Sequence, residues 1–175
     1  MNTAQTNNDS KVELQNIHKS SFMEPIAKLE SLIDEIVDLH SKLILLAGPS
    51  HCGKTKLLRQ LSVKLKIKRI SLGLELGRRL AATPNSKRGF SVGELLRELT
   101  NQTQAEAPLL LDNLEVLFEP SLEVNPLELL RRLAISKRVV AVWPGELRND
   151  RLVYAGMSHP EHRDYSSDGV VIFEI

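Results

Sequence analysis

Residues Gly48-Pro49-Ser50-His51-Cys52-Gly53-Lys54-Thr55 fit the pattern G-x-x-x-x-G-K-[ST] without a mismatch. What flanks them limits the fold. The apolar run Leu43-Ile44-Leu45-Leu46-Ala47 comes before, and a helical period carrying Leu58, Leu61 and Leu65 comes after, over about Lys54 to Lys66. A short continuous apolar run reads as a strand covered on both faces. Strand, Gly-bounded loop and helix in this order predict a loop that turns its backbone N–H groups inward at a helix N-terminus. The helix dipole adds a partial positive charge there, so the site suits phosphate. Pro49, Ser50, His51, Cys52 and Lys56 would border that site. Lys54 is expected to reach the β- and γ-phosphates, and the Thr55 hydroxyl to serve Mg²⁺.

The rest of the chain alternates in the same way. A helix is expected over Phe22 to His40, on the spacing of Ile26, Leu29, Leu32, Ile33, Ile36, Val37 and Leu39. A strand over Lys68 to Leu72 and a short helix over Glu75 to Ala81 follow. The polar stretch Thr83 to Gly89 reads as an exposed loop, and Ser91 with Glu94 as a capping box opening the next helix. Leu109 to Asp112 is a third strand. Asn125, Pro126 and Glu128 make a strong helix start. Arg138 to Trp143 and Val170 to Ile175 are strands four and five, and residues 144–169 are irregular in pattern, with room for a short helix or strand that the pattern does not place.

This alternation predicts an α/β domain with a mostly parallel five-stranded sheet and helices on both faces. Residues 1–20 read as a flexible tail and 21–175 as a single P-loop NTPase domain, within the usual domain size of about 100–200 residues. The last strand leaves no C-terminal helical lid.

Composition narrows the function classes. Aromatic residues make up 4% of the chain, which argues against stacking platforms for single-stranded nucleic acid. Lys and Arg number 23 against 22 Asp and Glu, so there is no overall basic footprint for DNA. A local cluster, Lys56, Arg59, Lys64, Lys66, Lys68 and Arg69, reads as a solvated helix face or as a patch for an acidic partner. The single Cys52 excludes an internal disulfide and suits a reducing compartment. No apolar run approaches the roughly 20 residues that cross a bilayer. The expectation is a cytoplasmic protein with no membrane partner.

Asp112 ends an apolar strand, the Walker-B pattern, and would hold Mg²⁺ beside Thr55 through water. Asn113 follows it, where a catalytic Glu would polarise the attacking water. An amide can orient a water but cannot take its proton. Glu115 and Glu146 are the candidate bases, against a plain reading of both as solvated surface acids. Arg148 is the preferred candidate for an arginine acting on the phosphates, since loops after strand ends face the crevice; Arg131, Arg132 and Arg151 are weaker ones. Trp143 reads as core. His159 and His162 flank Pro160-Glu161, and the proline argues for a turn rather than a metal site.

The segments GPSHCGKTKLL, LLLDNLEVLF, NPLELLRRLAISKRVVAVWPGEL and LVYAGMSHPEHRDY resemble the small P-loop proteins of type III BREX bacteriophage-exclusion systems, the BrxF family. The resemblance runs from about residue 22 to the C-terminus. It implies an AAA-like fold, a part in bacterial antiviral defence, and work beside a larger BREX ATPase and a DNA methyltransferase. It carries Gly48, Gly53, Lys54 and Thr55 over as phosphate and Mg²⁺ ligands and Asp112 as the Walker-B acid. Asn113 and the absent lid depart from the AAA pattern. The expected function is therefore an ATP·Mg²⁺-dependent switch or assembly subunit, with slow turnover or with a base or arginine supplied by a partner or by self-assembly. A DNA-linked helper ATPase and, further off, a small-molecule kinase using Lys87 and Arg88 in a lid are the alternatives.

Overall fold

A computed structural model describes residues 24–104 and 106–175 of the chain. The expected tail and the start of the first helix at Phe22 lie outside the described residues. A helix, α1 (24–35), buries Leu29 and Ile33 and runs into a 3₁₀ turn at Ile36–Asp38. β1 (Leu43–Ala47) is buried at every position. α2 (Lys54–Leu65) leads to β2 (Arg69–Ser71), and α3 (Leu72–Ala81) starts at the next residue. Then come α4 (Asn85–Asn101), β3 (Leu109–Asp112), 3₁₀ turns at Leu114–Phe118 and Pro120–Leu122, α5 (Pro126–Ser136) and β4 (Val139–Val142). Three short strands, β5 (Glu146–Arg148), β6 (Arg151–Tyr154) and β7 (Arg163–Ser166), precede β8 (Val171–Glu174).

The main sheet has five strands in the order β2-β3-β4-β1-β8, and every pairing in it is parallel. Alternate side chains along each strand go to opposite faces. Leu43, Leu45, Leu109, Leu111, Val139 and Ala141 pack with α3, α4 and α5. Ile44, Leu46, Leu110, Val140 and Val142 pack with α1 and α2. The chain is thus an α/β domain with helices on both faces, and no strand of its centre has a solvent face. Burying each leucine contributes about 1.5–3 kcal/mol, which is why continuous apolar runs rather than alternating ones built this sheet.

Two expectations need correction. The stretch Thr83 to Gly89 is not a loop. Helix α4 starts at Asn85 behind Pro84, so Ser91 and Glu94 lie inside the helix and cap nothing. Pro84, at φ −55°, is preset for a helix start. Gly89 costs helix propensity, but a Cβ there would fall 2.2 Å from the Leu122 carbonyl oxygen. Close packing of the Pro120–Leu122 turn on α4 outweighs that propensity.

The strand expected over Lys68 to Leu72 is shorter, and the helix expected from Glu75 starts at Leu72. The Gly73 N–H donates to the Asn113 carbonyl at 3.0 Å, which fixes the strand-to-helix change with no loop between.

Residues 144–169 are ordered as an antiparallel sheet, β5-β6-β7, that makes the crossover from β4 to β8 in place of a helix. Asn149 and Asp150 both take positive φ (49° and 59°) between the paired residues Arg148 and Arg151. That is the two-residue hairpin turn favoured by strand twist. An aromatic cluster seats this small sheet on the main one. Trp143, fully buried as expected, meets Phe118 at 5.3 Å and Tyr165 at 5.8 Å between ring centroids, both edge to face. Phe118 also stacks on Tyr154.

Candidate functional site

The loop between β1 and α2 is shaped by close approaches. Gly48 has φ 148°, and a Cβ on it would lie 2.5 Å from the Ile175 carbonyl oxygen, so only glycine fits beside the end of β8. Its N–H donates to the Gly145 carbonyl at 3.2 Å. His51 (φ 63°) and Gly53 (φ 107°) then turn the chain, with the Cys52 N–H on the Pro49 carbonyl at 3.3 Å. Gly53 caps α2 without a side chain, and no acid stands in the first turn. The positive end of that helix therefore faces the loop uncompensated by its own sequence.

A cavity of about 410 Å³ opens there, lined by Ser50 to Lys56 together with Asp112, Glu115, Val142 and Pro144. Lys54 is 8% exposed. Its ammonium folds back on the Gly48 carbonyl and also reaches the Pro49 and Gly145 carbonyls, at 3.2 and 3.5 Å. Burial holds its pKa below the usual lysine value, and the charges of Cys52, Glu146 and Glu115 oppose that shift. Glu115 and Glu146 thus both sit within electrostatic reach of Lys54.

Asp112 is 1% exposed. Its Oδ1 accepts from the Thr55 hydroxyl at 3.1 Å and from the Asn113 N–H at 3.0 Å, and its Oδ2 is ion-paired with Arg69. Hydroxyl and carboxylate oxygens side by side are the hard donors that Mg²⁺ takes, so the residues present fit that ion. Asn113 adopts a left-handed backbone (φ 54°), and its side-chain amide donates to the Ser71 hydroxyl at 2.9 Å. The amide is held on the end of β2 and does not line the cavity.

The arginine candidates divide. Arg148 is 65% exposed and held by Glu146 on β5 at 2.9 Å, outside the residues lining the cavity. Arg151 pairs with Asp164 across β6 and β7, and Arg131 binds Glu128 and the Ser166 and Asp168 carbonyls. Arg88 donates to the Leu80 and Thr83 carbonyls, closing the end of α3 rather than a lid. His159 and His162 brace the turn after β6 through the Glu161 N–H and the Ala155 carbonyl. Among the described residues no group of three metal-ligating side chains occurs.

Arg69 is the site residue that sequence reasoning missed. It sits in the basic cluster, and nothing in the local pattern separates it from its neighbours. Only the pairing of β2 with β3, Ser71 beside Asp112, brings it to the carboxylate. Lys64 of the same cluster is paired with Glu30. The basic patch is therefore partly neutralised.

Comparison of the chain with protein-family models, with curated proteins and with solved structures finds no match. No helix among the described residues is long and apolar enough to cross a membrane.

Proposed function

We propose that the chain is a P-loop protein that binds ATP with Mg²⁺ and acts as a nucleotide-dependent switch or assembly subunit. The observation that carries this reading is the 3.1 Å contact between the Thr55 hydroxyl and the Asp112 carboxylate, 57 residues apart. Together with the Lys54 ammonium in the loop, it gathers the three groups a triphosphate and its metal require. A second cavity, of about 570 Å³, shares His51, Cys52, Gly53 and Lys56 with the first and continues to Pro25, Phe173 and Ile175. It offers apolar room for the nucleoside beyond the phosphates.

In this reading the loop N–H groups and the start of α2 hold phosphate oxygens. Lys54 exchanges its carbonyl partners for them. Thr55 and Asp112 hold the metal, which when bound neutralises phosphate charge. Glu115, which lines the cavity, is the candidate base for a water, whereas Glu146 is paired with Arg148 and is not among the lining residues. Asn113 cannot take a proton, so slow turnover by the chain alone is expected. Release of the Gly145 carbonyl by Lys54 passes to β5-β7, the element that would signal to a partner. The resemblance to BREX proteins supports a setting in phage defence, with a larger ATPase, a methyltransferase or a second copy as partner.

The test is calorimetric titration of ATP and GTP with Mg²⁺, followed by phosphate release on the same sample. Tight binding with little release is expected. No binding, or equal binding by Lys54→Ala, would overturn the assignment.

A further inference from the structure

We propose that Arg69 is the resident counter-cation of Asp112, holding the carboxylate while no metal is present and giving it up when Mg²⁺ loads. This rests on the reading of Thr55 and Asp112 as the metal-holding pair. A carboxylate as buried as Asp112 must be paired or ligate a metal. Its Oδ1 is taken by the Thr55 hydroxyl and the Asn113 N–H, and its Oδ2 by the Arg69 guanidinium. Among the described residues, Asp112 is the one acid paired with Arg69. Three partners thus hold the carboxylate before any metal arrives, and Arg69 is the one cation among them.

A divalent ion beside Thr55 would set a second cation against the same carboxylate. The two cations repel, so each weakens the other's hold on the carboxylate. Arg69 is able to leave. It lies on β2, an edge strand, and its side chain is 27% exposed against 1% for Asp112. Water can therefore take the guanidinium where it could not take the carboxylate. The consequence is a threshold. Mg²⁺ alone competes poorly with a resident guanidinium, whereas Mg²⁺ arriving with a triphosphate brings the negative charge that compensates the exchange. Arg69 acts through Asp112 as a positioning residue and sets how much magnesium the site needs.

The experiment is the Mg²⁺ concentration that half-saturates ATP binding, measured by calorimetry for the parent chain, Arg69→Gln and Arg69→Lys. Competition for a fractionally free ligand lowers apparent affinity by that fraction. Arg69→Gln is therefore expected to need about tenfold less Mg²⁺, with Arg69→Lys close to the parent. An equal or higher Mg²⁺ requirement in Arg69→Gln would overturn the proposal. Should Arg69→Gln not fold, the parent chain decides. Its Arg69 Nε resonance should shift with Mg²⁺ and ATP and stay in place with ATP and EDTA, and no shift would overturn the exchange. Parent chain that binds ATP equally with and without Mg²⁺ would instead remove the metal reading on which the proposal stands.

Discussion

The Lys54 ammonium reaches the Gly145 carbonyl at 3.5 Å across 91 residues of sequence. The same carbonyl accepts from the Gly48 N–H at 3.2 Å. One carbonyl at the start of the small sheet therefore touches both the first residue of the loop and its lysine. Gly145 can do this because a Cβ on it would lie 1.8 Å from the Val153 carbonyl oxygen and 3.1 Å from Trp143 Nε1. Gly145→Ala is expected to cost about 1–3 kcal/mol, the usual range for forced overpacking. It should also weaken ATP binding, because β5 must move away from the loop. Urea unfolding and calorimetry on the variant check both.

Lys54→Met separates binding from folding. A hydrogen bond to a charged group is worth about 1.5–3 kcal/mol, so loss of the ammonium should weaken ATP binding by roughly ten- to a hundredfold or more. The burial that lowers the Lys54 pKa also means that its charge opposes folding. Its pKa is lower in the folded than in the unfolded chain, so the unfolded chain binds more protons between the lowered value and 10.5. Stability contributed by this group therefore rises with pH through that window. Lys54→Met should lose the rise and retain or gain stability at neutral pH, as followed by urea midpoints at a series of pH values.

Tyr154 works in the opposite direction. Burial first, then its 3.1 Å hydrogen bond to Glu161, pushes its pKa from 10.0 up to about 12. The folded chain keeps the phenol proton where the unfolded chain loses it. Its stabilising contribution is complete below pH 10 and is lost as pH rises through about 12. Tyr154→Phe is expected to flatten the loss of stability across that interval, measured by circular dichroism during alkaline unfolding.

Cys52 lines both cavities and is half-buried. A bulky alkyl group on its thiol would occupy the loop proposed to hold the phosphates. N-ethylmaleimide modification should abolish ATP binding, and ATP·Mg²⁺ should slow the modification, as read by intact mass. Equal rates with and without ATP would place the nucleotide elsewhere.

The sheet and its partners on both faces were legible in residue order alone. Runs such as Leu43 to Ala47 and Leu109 to Leu111 have no polar position to give to solvent, so they must be central strands. The loop Gly48 to Thr55 was legible because its glycines stand where backbone must pass close to backbone. The hairpin at Asn149-Asp150 was not read from the sequence, because the strands on either side of its turn are only three and four residues long and show no clear alternation. The helical state of Asn85 to Gly89 was not legible either. It depends on the Pro120–Leu122 turn packing against a position without a Cβ, a contact between segments distant in sequence.

Sequence by itself marked the groups a phosphate site would contain: Lys54 and Thr55 by the spacing of strand, loop and helix, and Asp112 by its place at the end of a second apolar strand. Tertiary structure alone decided how those groups are held. Arg69 reaches Asp112 because β2 pairs with β3, and the Asn113 amide is turned to Ser71 by the same pairing. The small sheet reaches Lys54 because Phe118, Trp143, Tyr154 and Tyr165 converge from different segments into one cluster. Local pattern records burial and backbone geometry, which act over a few residues. The partner of a buried charge is settled by strand order and register, which no local window contains.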